Sequence, residues 1–512
     1  MRRYCCVLML AVVSIFFVQM STAQDVASFE KRIIVKVLKN GLTVLLCERP
    51  EAPVFSFYTL VDAGSVQDPQ GESGMAHMFE HMAFKGTDRI GTTDYAKEKI
   101  ALARVEKAYA AFDHEDRKEV DRDPKKVAAL KSEFDKAVED ANQYVIKNKF
   151  GQIIEQQGGV GLNADTTMDS TNYFYSLPAN RLEMWAYMES ARFRHPVFRE
   201  FYKERDVVHE ERRLRIDSAP IGRMVEQFLS TAYVAHPYQR SGVGWPSELD
   251  HLSATDGEQF FHKYYVPSNT VIALAGDLKP EQVFPIIEKY FGTLPAAPKP
   301  EPLTTIEPQQ FAERSVVLRE TSQPFYIEGY HRPDYRDRDD AVYDVISDLL
   351  SEGRTSRLYR SLVRDKKIAA GAAGFSGLPG QKYPGLFAFF AIPVPGHTPE
   401  EMATAIHEEI DRLKNQDVSD DELQTVKTRQ KANLIRRLAD NEGLAEQLAF
   451  YQTRYGDWRE LFRSVDRIDK VTKADIRRIA NKTFVENNRT VAMIENNTAK
   501  PKPEAQKQKE SQ

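Results

Sequence analysis

Residues 74–86 read GMAHMFEHMAFKG, and two histidines and a glutamate stand there among Met75, Ala76, Met78, Phe79, Met82, Ala83 and Phe84. Gly74 and Gly86 interrupt any regular element, the residues between them favour a helix, and Ser73 is placed to cap it. A helix that is apolar on nearly every side is packed on nearly every side. It carries His77, Glu80 and His81 into a core with it, and burying two imidazoles and a carboxylate together is costly without a compensating cation. Positions i and i+4 lie one above the other on a helix and i+3 shares their face, so the three side chains converge on one point. Imidazoles so spaced suit zinc, and Glu80 is placed to act as general base on a metal-bound water instead of ligating.

Zinc held by two histidines needs a third protein ligand and an open position. Residues 201–215, FYKERDVVHEERRLR, offer Glu204, His209, Glu210 and Glu211 on a second helix. At roughly 100° per residue Glu204 and Glu211 share a face, whereas His209 and Glu210 point away from Glu211. Geometry nominates the Glu204/Glu211 face and leaves open which of the two touches the metal. A solvated, charged helix is the plain alternative for such a run.

Strand patterns flank this pair of helices. Residues 33–48, IIVKVLKNGLTVLLCE, are two apolar runs joined by Asn40-Gly41, a strong hairpin signal, and Pro53 to Ala63 supplies a third strand. The Pro-rich bridge from Leu294 to Pro308 marks a domain boundary. From Ser315 a second strand-and-helix set begins, with DAVYDVISDLLSEGRTSRLYRSLVRDKK as its helical section and no H-x-x-E-H. It reads as a degenerate copy of the first, and its isolated histidines, His331, His397 and His407, are expected at the surface.

At the start, Arg2 and Arg3, an apolar run from Val7 to Val18 and Ser21-Thr22-Ala23 have the order of a secretory signal peptide, residues 1–23, so a periplasmic or otherwise exported protein is expected. The run is shorter than the roughly 20 residues of a membrane span, so no stable span is expected once it is cleaved; retention as an anchor is the alternative. Cys5 and Cys6 leave with it, Cys47 remains of the 3 cysteines, and no internal disulfide is expected. With 70 basic against 75 acidic residues the chain shows no electrostatic footprint for nucleic acid. From Asn497 the tail is polar and is expected to be disordered.

Gly74 to Thr87 with His77, Glu80 and His81, followed at a distance by Glu204-Arg205-Asp206-Val207-Val208 and Glu211, resembles the insulinase/pitrilysin family of zinc peptidases, the inverzincins, which includes mitochondrial processing peptidase. Asn40-Gly41, Asn163-Ala164 with Thr166 and Asp169, Leu177-Pro178, and Asn269 through Gly276-Asp277 are further landmarks of the likeness. The resemblance implies an α+β fold of two homologous domains, here 24–293 and 309–496 joined by 294–308, each an antiparallel-rich sheet with helices packed on one face. It implies that His77, His81 and Glu211 bind one Zn2+ per chain, that Glu80 activates the water, and that Glu204 is a supporting carboxylate behind the ligands. It places Asn163 and Ala164 on the edge strand along which an extended peptide substrate is laid. The implied activity is a zinc-dependent endopeptidase acting on peptides or unfolded segments; the alternatives are a non-catalytic assembly subunit or a zinc-bound peptide-binding protein of the same fold.

Two departures from the family pattern matter. The interval between His81 and Glu211 is long, and the excess, Ile100 to Lys149, places Leu130, Phe134, Val138, Ala141 and Val145 at helical spacing, so a helical hairpin with one apolar seam is expected as an insertion. In the second half Arg364 stands near the position of a family arginine that helps to hold substrate, but Ile368 to Ala373 lacks the tyrosine that accompanies it. A dimer is therefore expected, with a related non-catalytic subunit supplying an Arg/Tyr pair, or else a homodimer.

Overall fold

The computed structural model describes residues 30–496; the expected signal peptide and polar tail lie outside the described residues. The chain begins with the hairpin of β1 (Ile33–Val37) and β2 (Thr43–Glu48), in register Val37 to Thr43 around Gly41 at φ 94°. A side chain at Gly41 would press on Ser268, so this turn demands glycine for both its angle and its space. After β3 (Val54–Val61) come α1 (Met75–Met82), α2 (Tyr95–Asp116), α3 (Pro124–Asn142) and α4 (Lys149–Gln156). Strands β4 (Val160–Thr166) and β5 (Thr171–Pro178) lead to α5 (Leu182–Arg194), α6 (Phe201–Arg212), α7 (Pro220–Ala232) and α8 (Ala254–Tyr264), and β6 (Thr270–Gly276) and α9 (Pro280–Tyr290) close the first half. The first sheet has the order β1-β2-β6-β3-β5-β4, antiparallel except where β2 meets β6.

The second half repeats this plan. It runs through β7 (Arg314–Glu320), β8 (Phe325–Arg332), α10 (Asp340–Ser351), β9 (Ala369–Leu378), β10 (Gly385–Pro393), α11 (Pro399–Asn415), α12 (Asp420–Arg437), α13 (Asn441–Tyr455), α14 (Glu460–Lys470), α15 (Lys473–Thr483) and β11 (Arg489–Asn496). The order β7-β11-β8-β10-β9, with β7 parallel to β11, matches the first sheet without its β1. The fold is α+β in two similar domains.

Each half packs its own helices on one face of its sheet, and alternation along the strands shows what closes the other. In β2, Val44 and Leu46 face Trp185 of α5 and Ile287 of α9, while Leu45 and Cys47 face Leu444 and Leu448 of α13, a helix of the second half. Reciprocally, Phe325, Ile327, Ala492 and Ile494 of the second sheet face Met224, Phe228 and Leu229 of α7, a helix of the first half. Strands covered on both faces read as unbroken apolar runs, as β6 does with every residue buried. Cys47 lies inside this exchange, and burial pushes its thiol up to about 11. Asp169, at the turn between β4 and β5, adds a polar clasp: it accepts from the Tyr238 hydroxyl at 2.5 Å and from the Gln381 and Lys382 amides at 2.9 and 3.0 Å.

Residues 100–149 form most of a helical hairpin, α2 with α3. Phe134 and Ala141 are buried along the seam, and Phe134 packs on Tyr109 and Tyr202 at ring separations of 5.4 and 4.9 Å. Two of the histidines expected at the surface are half-buried and reach partners distant in sequence. His331 packs on Tyr233 with Nε2 at 3.0 Å from the Ala232 carbonyl, and His407 lies 2.7 Å from the fully buried carboxylate of Glu328. His407 keeps 32% of its side chain exposed, and spacing along the chain reveals neither partner. No helix among the described residues is long and apolar enough to cross a membrane.

Because α7 and α13 each belong to one half by chain and to the other by packing, the halves should unfold together. Phe228→Ala and Leu448→Ala should cost about 3–5 and 2–5 kcal/mol respectively, each lowering one cooperative denaturation transition. Two separable transitions, each moved by only one substitution, would contradict the interlock.

Candidate metal centre

Helix α1 starts at Gly74, whose φ of 92° is left-handed and where a Cβ would lie 2.5 Å from the Val243 carbonyl oxygen. Asp68 caps it from six residues upstream, accepting from the Gly74 amide at 2.7 Å and the Ala76 amide at 2.8 Å. Ser73 is thus not the N-cap. Entry through a left-handed glycine turns it aside, and its hydroxyl accepts from the Trp245 amide at 2.9 Å while its own amide donates to Glu248 at 2.7 Å. Met75, Ala76, Met78, Phe79 and Met82 are buried, which fixes the rotation of α1 and turns His77, Glu80 and His81 towards α6 and β4.

The structure brings Glu211, not Glu204, between the two histidines. Glu211 Oε2 lies 3.5 Å from His77 Nε2 and 3.4 Å from His81 Nε2, and the three donor atoms are mutually within 4.8 Å. A tetrahedral ion at zinc's usual bond lengths of about 2.1 Å sets its ligand atoms about 3.4 Å apart, so the donor set fits zinc in type and spacing. The buried Nδ1 of His77 has no hydrogen-bond partner, so compensation for burying this ring must come through Nε2, the atom facing Glu211. The imidazole planes stand at 89° with centroids 5.0 Å apart.

Glu204 takes up a different station. Its Oε2 is 3.4 Å from His81 Nδ1, and its Oε1 is paired with Lys85 Nζ, which also lies 3.4 Å from Glu200 Oε2. Glu211 Oε1 is held by Arg215 at 2.8 Å, and His209 and Glu210 point to Asp250 and Arg213. Burial pushes His77 down to about 4, with the Glu211 charge opposing it. Burial also pulls His81 down, but the Glu204 bond and the Glu211 charge outweigh it and raise the ring above its ordinary value. Burial raises Glu80 as well. For Glu204 burial works upward, and the bonds from His81 and Lys85 prevail and lower it.

Asn163 and Ala164 lie on β4, the outermost strand, paired to Phe174 and Tyr173 of β5 on one side only and adjoining α1. Arg364 lies in the short helical segment Tyr359–Asp365 before β9, its guanidinium on the neighbouring Asp365 at 2.6 and 3.0 Å, and makes no ion pair or hydrogen bond to the histidine cluster. Sequence reasoning missed the roles of Asp68, Lys85 and Arg215. Of these only Lys85, four residues beyond His81 in the same motif, carried a usable signal.

The second half repeats the site with other chemistry. Asp344, Ser347 and Asp348 precede Gly353 at the intervals by which His77, Glu80 and His81 precede Gly86, and both glycines have positive φ. Gln430 and Arg437 on α12 are spaced as Glu204 and Glu211 are on α6. Gln430 donates to Asp348 at 2.9 Å, as Glu204 stands to His81, and all five residues line one polar cavity of about 470 Å³. No imidazole remains there.

The family model described as "Insulinase (Peptidase family M16)" matches residues 43–152, and that described as "Peptidase M16 inactive domain" matches residues 251–430. Helix α6 falls between the two. The chain is 27% identical over 508 residues to "Zinc protease PqqE" of Helicobacter pylori, covering 96% of this chain and 100% of that one. It is 23% identical over 476 residues to a probable mitochondrial-processing peptidase subunit beta of Arabidopsis thaliana, covering 90% and 78%. Among solved structures, a protease from Helicobacter pylori is similar with a TM-score of 0.75 at 26% identity, over 90% of this chain and 99% of that one.

Metal binding requires both imidazoles unprotonated, and the raised His81 is the proton's stronger site. Zinc affinity measured by chelator competition should therefore begin to fall, as pH is lowered, from above the ordinary imidazole value of about 6.5. A flat affinity between about pH 8 and 6 would remove His81 from the ligand set.

Proposed function

The chain belongs to the insulinase family, peptidase M16, and on that premise we propose that it is an exported zinc-dependent endopeptidase acting on extended peptides or unfolded segments. The observation that carries the reading is the meeting of His77 Nε2, His81 Nε2 and Glu211 Oε2 at 3.4–3.5 Å beside a partly buried Glu80. These three residues would hold one zinc ion, which when bound supplies Lewis acidity to a scissile carbonyl and to water. Glu80 takes the proton of the attacking water and returns it to the leaving amine, and its raised pKa brings that exchange nearer neutral pH. Glu204 orients His81 through Nδ1. The open side of β4, with Asn163 and Ala164, receives the substrate as an added strand, where main-chain bonds hold a peptide largely regardless of its sequence. Arg364 would leave Asp365 to reach such a peptide.

Export rests on the order of residues 1–23. Because residues 368–373 bring no tyrosine beside Arg364, the enclosure is completed by a second subunit, a related non-catalytic chain with an Arg/Tyr pair or another copy of this one. The complete donor set disfavours a purely structural subunit.

Metal analysis should find one zinc per chain, and Glu80→Gln should keep that zinc while hydrolysis of an unfolded-peptide library falls about 10²–10⁴-fold. A wild type that binds zinc yet cuts nothing, alone or with a co-expressed relative, would end the peptidase reading. Retention of zinc by Glu211→Gln with its loss in Glu204→Gln would reverse the ligand assignment.

A further inference from the structure

We propose that Lys85 is a positioning residue of the metal centre: through Glu204 it fixes the ring of His81, so that zinc affinity depends on a side chain that never touches the ion. The inference rests on His81 being a ligand, as proposed above.

Glu204 is one of two carboxylates crowded at the start of α6. Glu200, immediately before the helix at a left-handed φ of 58°, and Glu204 both reach Lys85 Nζ, with side chains only 6% and 12% exposed. Two like charges brought to one ammonium repel each other, and burial strengthens the repulsion. Lys203 takes Glu200 Oε1 at 2.9 Å. Lys85 then stands between the pair, bonded to Glu204 Oε1 and 3.4 Å from Glu200 Oε2. This division leaves Glu204 Oε2 for His81 Nδ1. A carboxylate held by one oxygen and accepting through the other cannot rotate without breaking one bond. The ring of His81 is thereby kept with Nδ1 as donor and the Nε2 lone pair towards Glu211 and the metal position.

The station of Lys85 is itself built. Its carbonyl accepts from the Arg199 guanidinium at 2.7 Å, its amide donates to Met82 at 3.1 Å, and Arg199 is 1% exposed and bonded to Glu98 at 2.7 and 3.0 Å. The stem of Lys85 thus starts from a backbone pinned at the end of α1, and its side chain is only 19% exposed. An ordinary surface ion pair has neither feature.

The test is a double-mutant cycle on the full chain, read as zinc affinity by competition with a chromophoric chelator. Lys85→Met and Glu204→Gln should each weaken zinc binding by about 10- to 100-fold, the usual effect of removing a partner of a metal-ligating histidine. The double variant should be no weaker than the weaker single, since both changes break one chain of contacts. Lys85→Arg, which keeps the charge, should recover most of the loss. If Lys85→Met does not fold, Lys85→Gln carries the same expectation. Wild-type-like zinc affinity in Lys85→Met, or losses that multiply in the double variant, would overturn the inference while leaving the zinc site standing. A wild type that binds no zinc would instead bring down the reading of the site, and this inference with it.

Discussion

A carboxylate withdrawn from water must be met by donors that cannot leave, and the surroundings of α1 are organised around that requirement. Asp68 is met by two amides at the start of the helix. Glu98 is met by Arg199, whose remaining donors bind the carbonyls of Lys85, Thr87 and Ile90 just beyond the helix end. Glu226 on α7 is met by Arg212, the residue after Glu211, at 2.8 and 3.0 Å, and Arg212 also donates to the Gly244 carbonyl at 2.6 Å. The first ties an upstream loop to this short helix, the second pins the segment just beyond it, and the third joins α6 to α7 and to the loop at Gly244 that abuts Gly74. Buried pairs of this kind contribute little net stability against an apolar alternative, but breaking one partner is expensive, so they act mainly to fix position. Position is what two imidazoles and a carboxylate need in order to meet within an ångström of a ligand geometry.

The exchange of helices between the sheets extends this control across the molecule. With α13 closing the outer face of the first sheet and α7 that of the second, neither half can shift without exposing the other's core. The Asp169 clasp works in the same direction, since it joins the β4–β5 turn directly to the segment of the second half around Gln381 and Lys382. The open side of β4 is thereby held at a fixed distance from α1, the constancy that the strand addition proposed for this edge would need.

How much of this was legible in the sequence depended on whether the deciding contact was local. Helical periodicity alone put His77, Glu80 and His81 on one face, paired Glu204 with Glu211, and found the seam through Phe134 and Ala141. Asn40-Gly41 announced the first hairpin. The cap of α1 was misread because the sequence rule looks one residue back, whereas Asp68 reaches in over a loop and Gly74 enters left-handed. An isolated histidine such as His407 gave no sign that it faces a buried Glu328, since the partner lies far along the chain. An unbroken apolar run such as β6 fits a strand covered on both faces. It could not show that one cover comes from beyond Asn441.

The second half shows what the scaffold does when the same positions lose their imidazoles. The helix after the central strand again turns three polar residues inward, now Asp344, Ser347 and Asp348, and α12 again presents two polar residues to them. The identities are reshuffled so that the pocket answers its own charges: Gln430 and Arg429 bond Asp348, Arg332 bonds Asp340, and Arg437 acts on Asp344. Burial still pushes Asp344 up to about 7. Guanidinium groups answer the carboxylates of this half, whereas in the first half Arg215 takes Glu211 Oε1 and leaves Oε2 facing the two imidazoles. Glu211 Oε2 set 3.4–3.5 Å from two Nε2 atoms has no counterpart in the pocket of the second half, and that contrast between two halves of one chain supports the ion site proposed for the first.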